Sequence, residues 1–318
     1  MGLLSTTSSP EAALHQMVSS RPKLIGWLSA LCVFFIWSGF FVLSRAGVQS
    51  GLTAYDVTML RFVVATVAVL PFASKWWPTH LPVRVQAIMA LCGPGALYTT
   101  LMYLGLTNAS AAWGGVFANG SLPIFTMLVA FVIGGTAIDR HQVFPIALVI
   151  IGSVLVSLPG FEAGGASVAK GILLFLCASA VLSVYIFGVR HWNVSPKEAL
   201  ILVTLPNAVI YAPLWYFFFP SDLATAETST ILFQAVFQGL GPGFIAVILF
   251  AISAKNLGPT PTAGFSAAVP AGAALLAVPV LSEYLATIEW AGIGVVSVGL
   301  VLLIVRPFDR ERVPPPQS

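Results

Sequence analysis

The chain has 318 residues, of which 58% are hydrophobic and 8% charged, and its mean hydropathy is +0.95. That composition lies far outside the range of soluble globular domains and marks a membrane protein. The net charge of +3 does not indicate a nucleic-acid binder, because the 14 Lys and Arg residues stand singly at the ends of apolar runs and form no basic face.

Residues 1–23 begin polar and Ser/Thr-rich and are expected to be a disordered cytoplasmic tail. The first apolar run, 24–43, is too long for the core of a cleavable signal peptide and has no small-residue cleavage pattern after it, so it is expected to be retained as an anchor. A helix crossing the hydrocarbon layer needs about 20 mostly apolar residues. Ten stretches qualify: 24–43, 55–72, 85–106, 111–133, 143–158, 168–189, 200–219, 231–254, 262–281 and 288–305, the fifth being the shortest. Turn signals separate them at Lys75 to Pro82, Leu158-Pro159-Gly160, Asn193 to Pro196, Pro220-Ser221-Asp222 and Gly258 to Pro261. The end of the chain, 308–318, reads as a second cytoplasmic tail. With the amino terminus inside, 11 of the 14 Lys and Arg residues fall in cytoplasmic loops, which predicts that both termini are cytoplasmic.

The chain repeats itself. Gly93-Pro94-Gly95 returns as Gly241-Pro242-Gly243, and Pro123 as Pro270. Gly26, Cys32, Ser38 and Arg45 return at a constant spacing as Gly171, Cys177, Ser183 and Arg190, while Asp56 and Pro71 match Glu198 and Pro213. Two units follow, 24–160 and 169–307. Each holds five spans, an odd number, so the second enters the membrane upside down. The fold expected is an all-α membrane protein of ten transmembrane helices in two inverted five-helix repeats, an arrangement typical of secondary transporters with a substrate site between the repeats. A purely structural duplication is the competing reading.

Several residues stand out as candidates for a transport site. Pro123 frees the carbonyl of Asn119, and Pro270 frees that of Ser266, its repeat partner. A freed carbonyl and a polar side chain therefore coincide at matched depths, facing substrate, water or another helix. Gln238 stands in the same relation to Pro242. Trp37, Ser38, Tyr98 and Ser183 supply the aromatic walls and placed hydroxyls that a pocket needs. The substrate-binding set is thus Trp37, Ser38, Tyr98, Asn119, Ser183, Gln238 and Ser266, the alternative for Asn119 being a bond across a helix interface. Gly93, Pro94, Gly95, Pro123, Gly241, Pro242, Gly243 and Pro270 are candidate hinges, with tight packing as the alternative for the glycines.

Asp56, Arg61, Arg45 and Glu283 stand near predicted span ends, where snorkelling to the interface explains them; Arg45 or Arg61 is also a candidate to attract a substrate carboxylate at the outer mouth. No midplane carboxylate supports obligatory proton coupling, so facilitated exchange or downhill export is expected. Cys32, Cys92 and Cys177 read as buried small hydrophobes. All four histidines lie outside the spans, and the sequence has no nucleophile elbow, P-loop or metal-ligand cluster, so no enzyme activity, metal or cofactor is expected. The expected partners are a small-molecule substrate and membrane lipids, without nucleic acid.

Trp37-Ser38-Gly39, Leu60-Arg61-Phe62, Gly105-Leu106 with Ser110-Ala111-Ala112, Leu122 to Thr126, Val269-Pro270 and Ser282-Glu283 with Trp290-Ala291-Gly292 resemble, in order and spacing, the EamA-type ten-helix branch of the drug/metabolite transporter superfamily. The resemblance runs from Leu24 to Val305. It implies a bacterial inner-membrane carrier, often an exporter of amino acids or related metabolites, with a central cavity made by both repeats. The pattern departs from the family at Thr136, which stands opposite Glu283 where a carboxylate is common. Drug efflux is the nearest alternative, and a lipid scramblase or a non-transporting membrane scaffold is the alternative of a different class.

Overall fold

The computed structural model describes residues 10–137 and 139–305. Among them there is no strand; nine helices are long and apolar enough to cross a membrane, and a tenth segment is broken into two shorter pieces. They are α1 (Pro10–Gln49), α2 (Ala54–Trp76), α3 (Val83–Asn108), α4 (Ala111–Val132), α5 (Arg140–Glu162), α6 (Gly165–His191), α7 (Pro196–Phe218), α8 (Thr228–Leu257), α9 in two pieces (Pro259–Ala267 and Val269–Leu281) and α10 (Thr287–Val305).

Three expectations are corrected. The segment 1–23 is helical from Pro10 onward, as an extension of α1. Pro10 suits a first helical turn and Ala12-Ala13-Leu14 favour helix. Residues 1–9 and the expected tail 308–318 lie outside the described residues. The turn expected at Leu158-Pro159-Gly160 is helical, which makes α5 as long as 23 residues. The chain breaks instead at Gly165, where φ of 46° lies in the left-handed region that glycine enters at no steric cost. Finally, Cys32 and Cys177 are exposed on the outer surface of the bundle, where their weakly polar side chains face the same apolar surroundings as leucine.

Both repeats are broken at the same places. Within α3 the helix stops at Cys92 and restarts at Ala96, and the matching Gly241–Ile245 stretch of α8 is a π-helical turn. The Gly115–Gly120 stretch of α4 is likewise π-helical, with Pro123 in the first turn of the helix that follows, while α9 breaks at Ala268 with Pro270 in that position. Proline has no amide hydrogen for the preceding turn, and a widened or interrupted turn accommodates its ring. The helix starts match as well. Thr53 and Asp56 form a capping box on α2, and Ser195 and Glu198 form its counterpart on α7.

The packing has the same pseudo-twofold order. The contact of α1 with α8 is answered by α6 with α3, and α2 with α8 by α7 with α3. Meanwhile α5 and α10 pack on each other at the dyad. There a Cβ on Gly152 would lie 2.6 Å from the Gly292 carbonyl oxygen, and one on Gly292 would lie 2.7 Å from that of Gly152. Backbones this close need glycine on both sides. The exterior is apolar, with Phe217 and Phe218 exposed to 72% and 75%, as lipid contact requires.

Candidate functional site

A cavity of about 340 Å³ lies between α1, α2, α3, α6, α7 and α8, so both repeats form its walls. It falls in the range of about 300–1,000 Å³ common for small-molecule sites. The helix breaks reach it through Pro94 of α3 and Gly243 of α8. Trp37 lines it and stacks on Phe250, ring centroids 5.5 Å apart, while Tyr185, Val203 and Phe244 extend the apolar wall. From this depth the cavity runs to exposed Arg190 and to Val194 and Pro196 in the α6–α7 turn, here called the Arg190 face.

Arg61 is the cation at the inner part of this cavity. The side chain does not snorkel: Arg61 is 6% exposed and its guanidinium turns into the bundle. At about 1.5 Å per residue, it stands roughly 10 Å along α2 from Ala54, too far inside for an interface anchor. Its Nη2 donates to the Pro94 carbonyl at 3.5 Å, at the limit for such a bond, and the guanidinium also meets the Tyr103 hydroxyl. Among the described residues no carboxylate oxygen lies within 4.0 Å of it. A guanidinium carries five N–H donors, so most of its hydrogen-bonding capacity is unused by protein.

Beyond Arg61 the bundle is closed by a buried polar network. The Tyr103 hydroxyl donates to Gln238 Oε1 at 3.1 Å, and Gln238 Nε2 donates to Ser44 Oγ at 2.9 Å and to Gln234 Oε1 at 3.1 Å. Gln234 Nε2 in turn donates to the Leu43 carbonyl at 2.8 Å. Tyr103, Gln238 and Ser44 are all 0% exposed, and each partner satisfies the next, so the network is stable as a plug.

Further out, on the Glu283 face, loops and helix ends are tied together. Arg45 Nε donates to Glu283 Oε1 at 2.9 Å, Arg45 Nη1 donates to the Leu106 carbonyl, and Glu283 Oε2 accepts the Ala111 amide at 3.0 Å. The Trp113 indole donates to Glu289 Oε1 at 2.8 Å. Asp56, 0% exposed, accepts the Trp215 indole and the Asp222 amide, both at 2.9 Å. Arg45, Asp56 and Glu283 therefore bind protein rather than snorkel. On the Arg190 face the matching Glu198 accepts the Ser195 amide and hydroxyl of its own capping box and beyond that meets exposed His80 at 3.5 Å.

Of the residues singled out in the sequence, Trp37 lines the cavity, as do Pro94 and Gly243, and Gln238 belongs to the plug behind it. Tyr98 packs against the core on α3. Ser38 is buried between α1 and Gly272 of α9 with no hydrogen-bond partner, and Ser183 donates within its own helix to the Ala180 carbonyl at 2.7 Å. Asn119 and Ser266 meet each other: Asn119 Nδ2 donates to the Ser266 carbonyl at 3.2 Å, the acceptor that Pro270 frees. This joins the broken turns of α4 and α9 away from the cavity.

Asn207 of α7 carries no sequence signal and is central to the α3 break. Its Oδ1 accepts the Ala96 amide at 2.9 Å, and its Nδ2 donates to the carbonyls of Ala90 and Val203, both at 2.8 Å. Asn207→Leu leaves both ends of the break unsatisfied, each at a cost of about 1–3 kcal/mol. Lower thermal stability in detergent, measured by size-exclusion chromatography after heating, is expected; an unchanged midpoint would show that the break does not need this brace.

An all-helical membrane protein with two inverted five-helix repeats and a cavity between them is the architecture of a secondary transporter. The chain belongs to the EamA-like transporter family, whose model matches residues 24–158 and 169–305. It is 27% identical over 136 residues to the WAT1-related protein At1g44800 of Arabidopsis thaliana, a match covering 41% of this chain and 36% of that one. To the WAT1-related protein At1g21890 of the same plant it is 25% identical over 129 residues, covering 39% and 33%. The chain therefore spans about a third of the length of these curated relatives. A solved crystal structure shares the fold with a TM-score of 0.57 at 19% identity, covering 89% of this chain and 96% of its own.

Proposed function

We propose that this transporter carries a small metabolite, an amino acid or a relative of one, out of a bacterial cell across the inner membrane by alternating access. The cavity lined by Trp37 and Arg61 is the substrate site. The observation that carries this reading is the asymmetry of the path: the cavity reaches the Arg190 face, while the plug and the tied loops close the Glu283 face. With the Arg190 face cytoplasmic, as the distribution of Lys and Arg implies, this is an inward-facing state. The breaks at Gly93-Pro94-Gly95 and at Gly241-Pro242-Gly243, with the Pro123 and Pro270 turns, are the hinges. Exchange of conformation between the two repeats then opens the opposite face.

The test is counterflow in proteoliposomes loaded with an unlabelled amino acid, or with a carboxylic acid of the same skeleton, and given the same compound labelled outside. Saturable entry is expected for the wild type, and Val247→Trp, which fills the cavity wall, is expected to abolish it while leaving a monodisperse protein. Entry that survives this substitution moves the substrate path elsewhere. Lipid flipping independent of any solute would instead favour a scramblase.

A further inference from the structure

The geometry points to an organic anion, a carboxylate on an apolar body without an ammonium group, as the substrate class of this cavity; the inference rests on the cavity being the transport site. Arg61 is more than nine-tenths buried and turned into the cavity, and among the described residues its hydrogen-bond contacts are the long one to the Pro94 carbonyl and one with the Tyr103 hydroxyl, which leaves most of its five donors free. A second guanidinium, Arg190, stands at the mouth. Among the described residues no Asp or Glu lines the cavity. Asp56, the carboxylate nearest in sequence on α2, is already bonded to the Thr53 and Asp222 amides and the Trp215 indole.

A buried guanidinium with unused donors in apolar surroundings favours a planar oxyanion that takes two parallel N–H bonds. An ammonium placed in the same cavity meets two cations and no carboxylate, so a zwitterion loses at its amine what it gains at its acid. Trp37, Phe244 and Phe250 leave an apolar or aromatic surface for the remainder of the molecule, and Trp37 with Phe250 forms a flat wall. Arg190 at the mouth adds the attraction that draws an anion in.

Four probes with one skeleton separate charge from shape: 3-phenylpropanoate, phenylalanine, 2-phenylethylamine and 3-phenylpropanol, each titrated calorimetrically into the purified full-length chain. The acid is expected to bind most tightly. Arg61→Gln is expected to weaken the acid by about tenfold to a hundredfold, the loss of a charge-assisted hydrogen bond, and to leave the alcohol unchanged, with Arg61→Lys in between. Equal binding of phenylalanine, the amine or the alcohol by the wild type overturns the inference, as does undiminished binding of the acid by Arg61→Gln or no binding of any probe at millimolar concentration. The wild-type preference decides the case even where Arg61→Gln does not fold. If Val247→Trp blocks the probes and Arg61→Gln changes none of them, the cavity stands as the site and the charge assignment falls. If Val247→Trp leaves acid binding intact, the cavity itself is not the site.

Discussion

Gly292→Leu is expected to remove nearly all folded protein from the membrane. In water an overpacked core position costs about 1–3 kcal/mol because side chains can shift. Here the obstacle is backbone: the first added carbon on Gly292 would lie 2.7 Å from the Gly152 carbonyl oxygen and 2.8 Å from Val156 Cγ2. Only separation of α5 from α10 relieves that contact. Helices in lipid gain no hydrophobic effect on association and depend on such close packing, so little else holds the dyad. Gly294→Leu is the control, because it lies on the same helix with no atom within 4 Å of its Cβ position. Yield and monodispersity in detergent check the pair. Equal behaviour of the two variants would falsify the placement of the α5–α10 interface.

Glu283→Gln is expected to loosen the closed face without unfolding the protein. The carboxylate holds two elements at once, Arg45 of α1 and the Ala111 amide at the start of α4, and the side chains of Arg45 and Glu283 are only 17% and 16% exposed. Glutamine keeps the shape and one acceptor but loses the charge, which weakens a charge-assisted bond by about 1.5–3 kcal/mol. A shift of that size changes the balance of two conformations by about ten- to a hundredfold. The measurement is alkylation of a cysteine placed at buried Ala235, which lies at the depth of the plug between Gln234 and Gln238, in a background lacking Cys32, Cys92 and Cys177. Labelling faster than in the unmodified background is expected, and Arg45→Met combined with Glu283→Gln should add little more. A stability loss without faster labelling would make the pair a structural clasp instead of a gate.

The repeats were legible because backbone geometry writes itself into the sequence. The Gly-Pro-Gly triplets became the breaks of α3 and α8, Pro123 and Pro270 followed the interrupted turns of α4 and α9, and matched Asp56 and Glu198 proved to cap matched helices. Even the freed Ser266 carbonyl found the partner that the repeat alignment placed opposite it, Asn119. The cavity was only partly legible. Trp37 lines it, whereas Ser38 and Ser183 are buried in helix packing and Tyr98 packs on the core.

The physical reason is the solvent. In a water-soluble helix the polar stripe tells which face looks outward. In lipid, the outer face and the packed face are both apolar, so periodicity does not fix the rotation of a helix about its axis. The sequence by itself determined the membrane location, the ten spans, the inverted repeat and the positions where helices break, because these follow from length, composition and proline chemistry. Only the tertiary structure decided that Arg61 turns into the cavity, that Asn207 braces the α3 break and that Arg45 and Glu283 meet across 238 positions of sequence. Those facts depend on helix rotation and on which distant segments pack together, and neither is set by any residue's immediate neighbours in the chain.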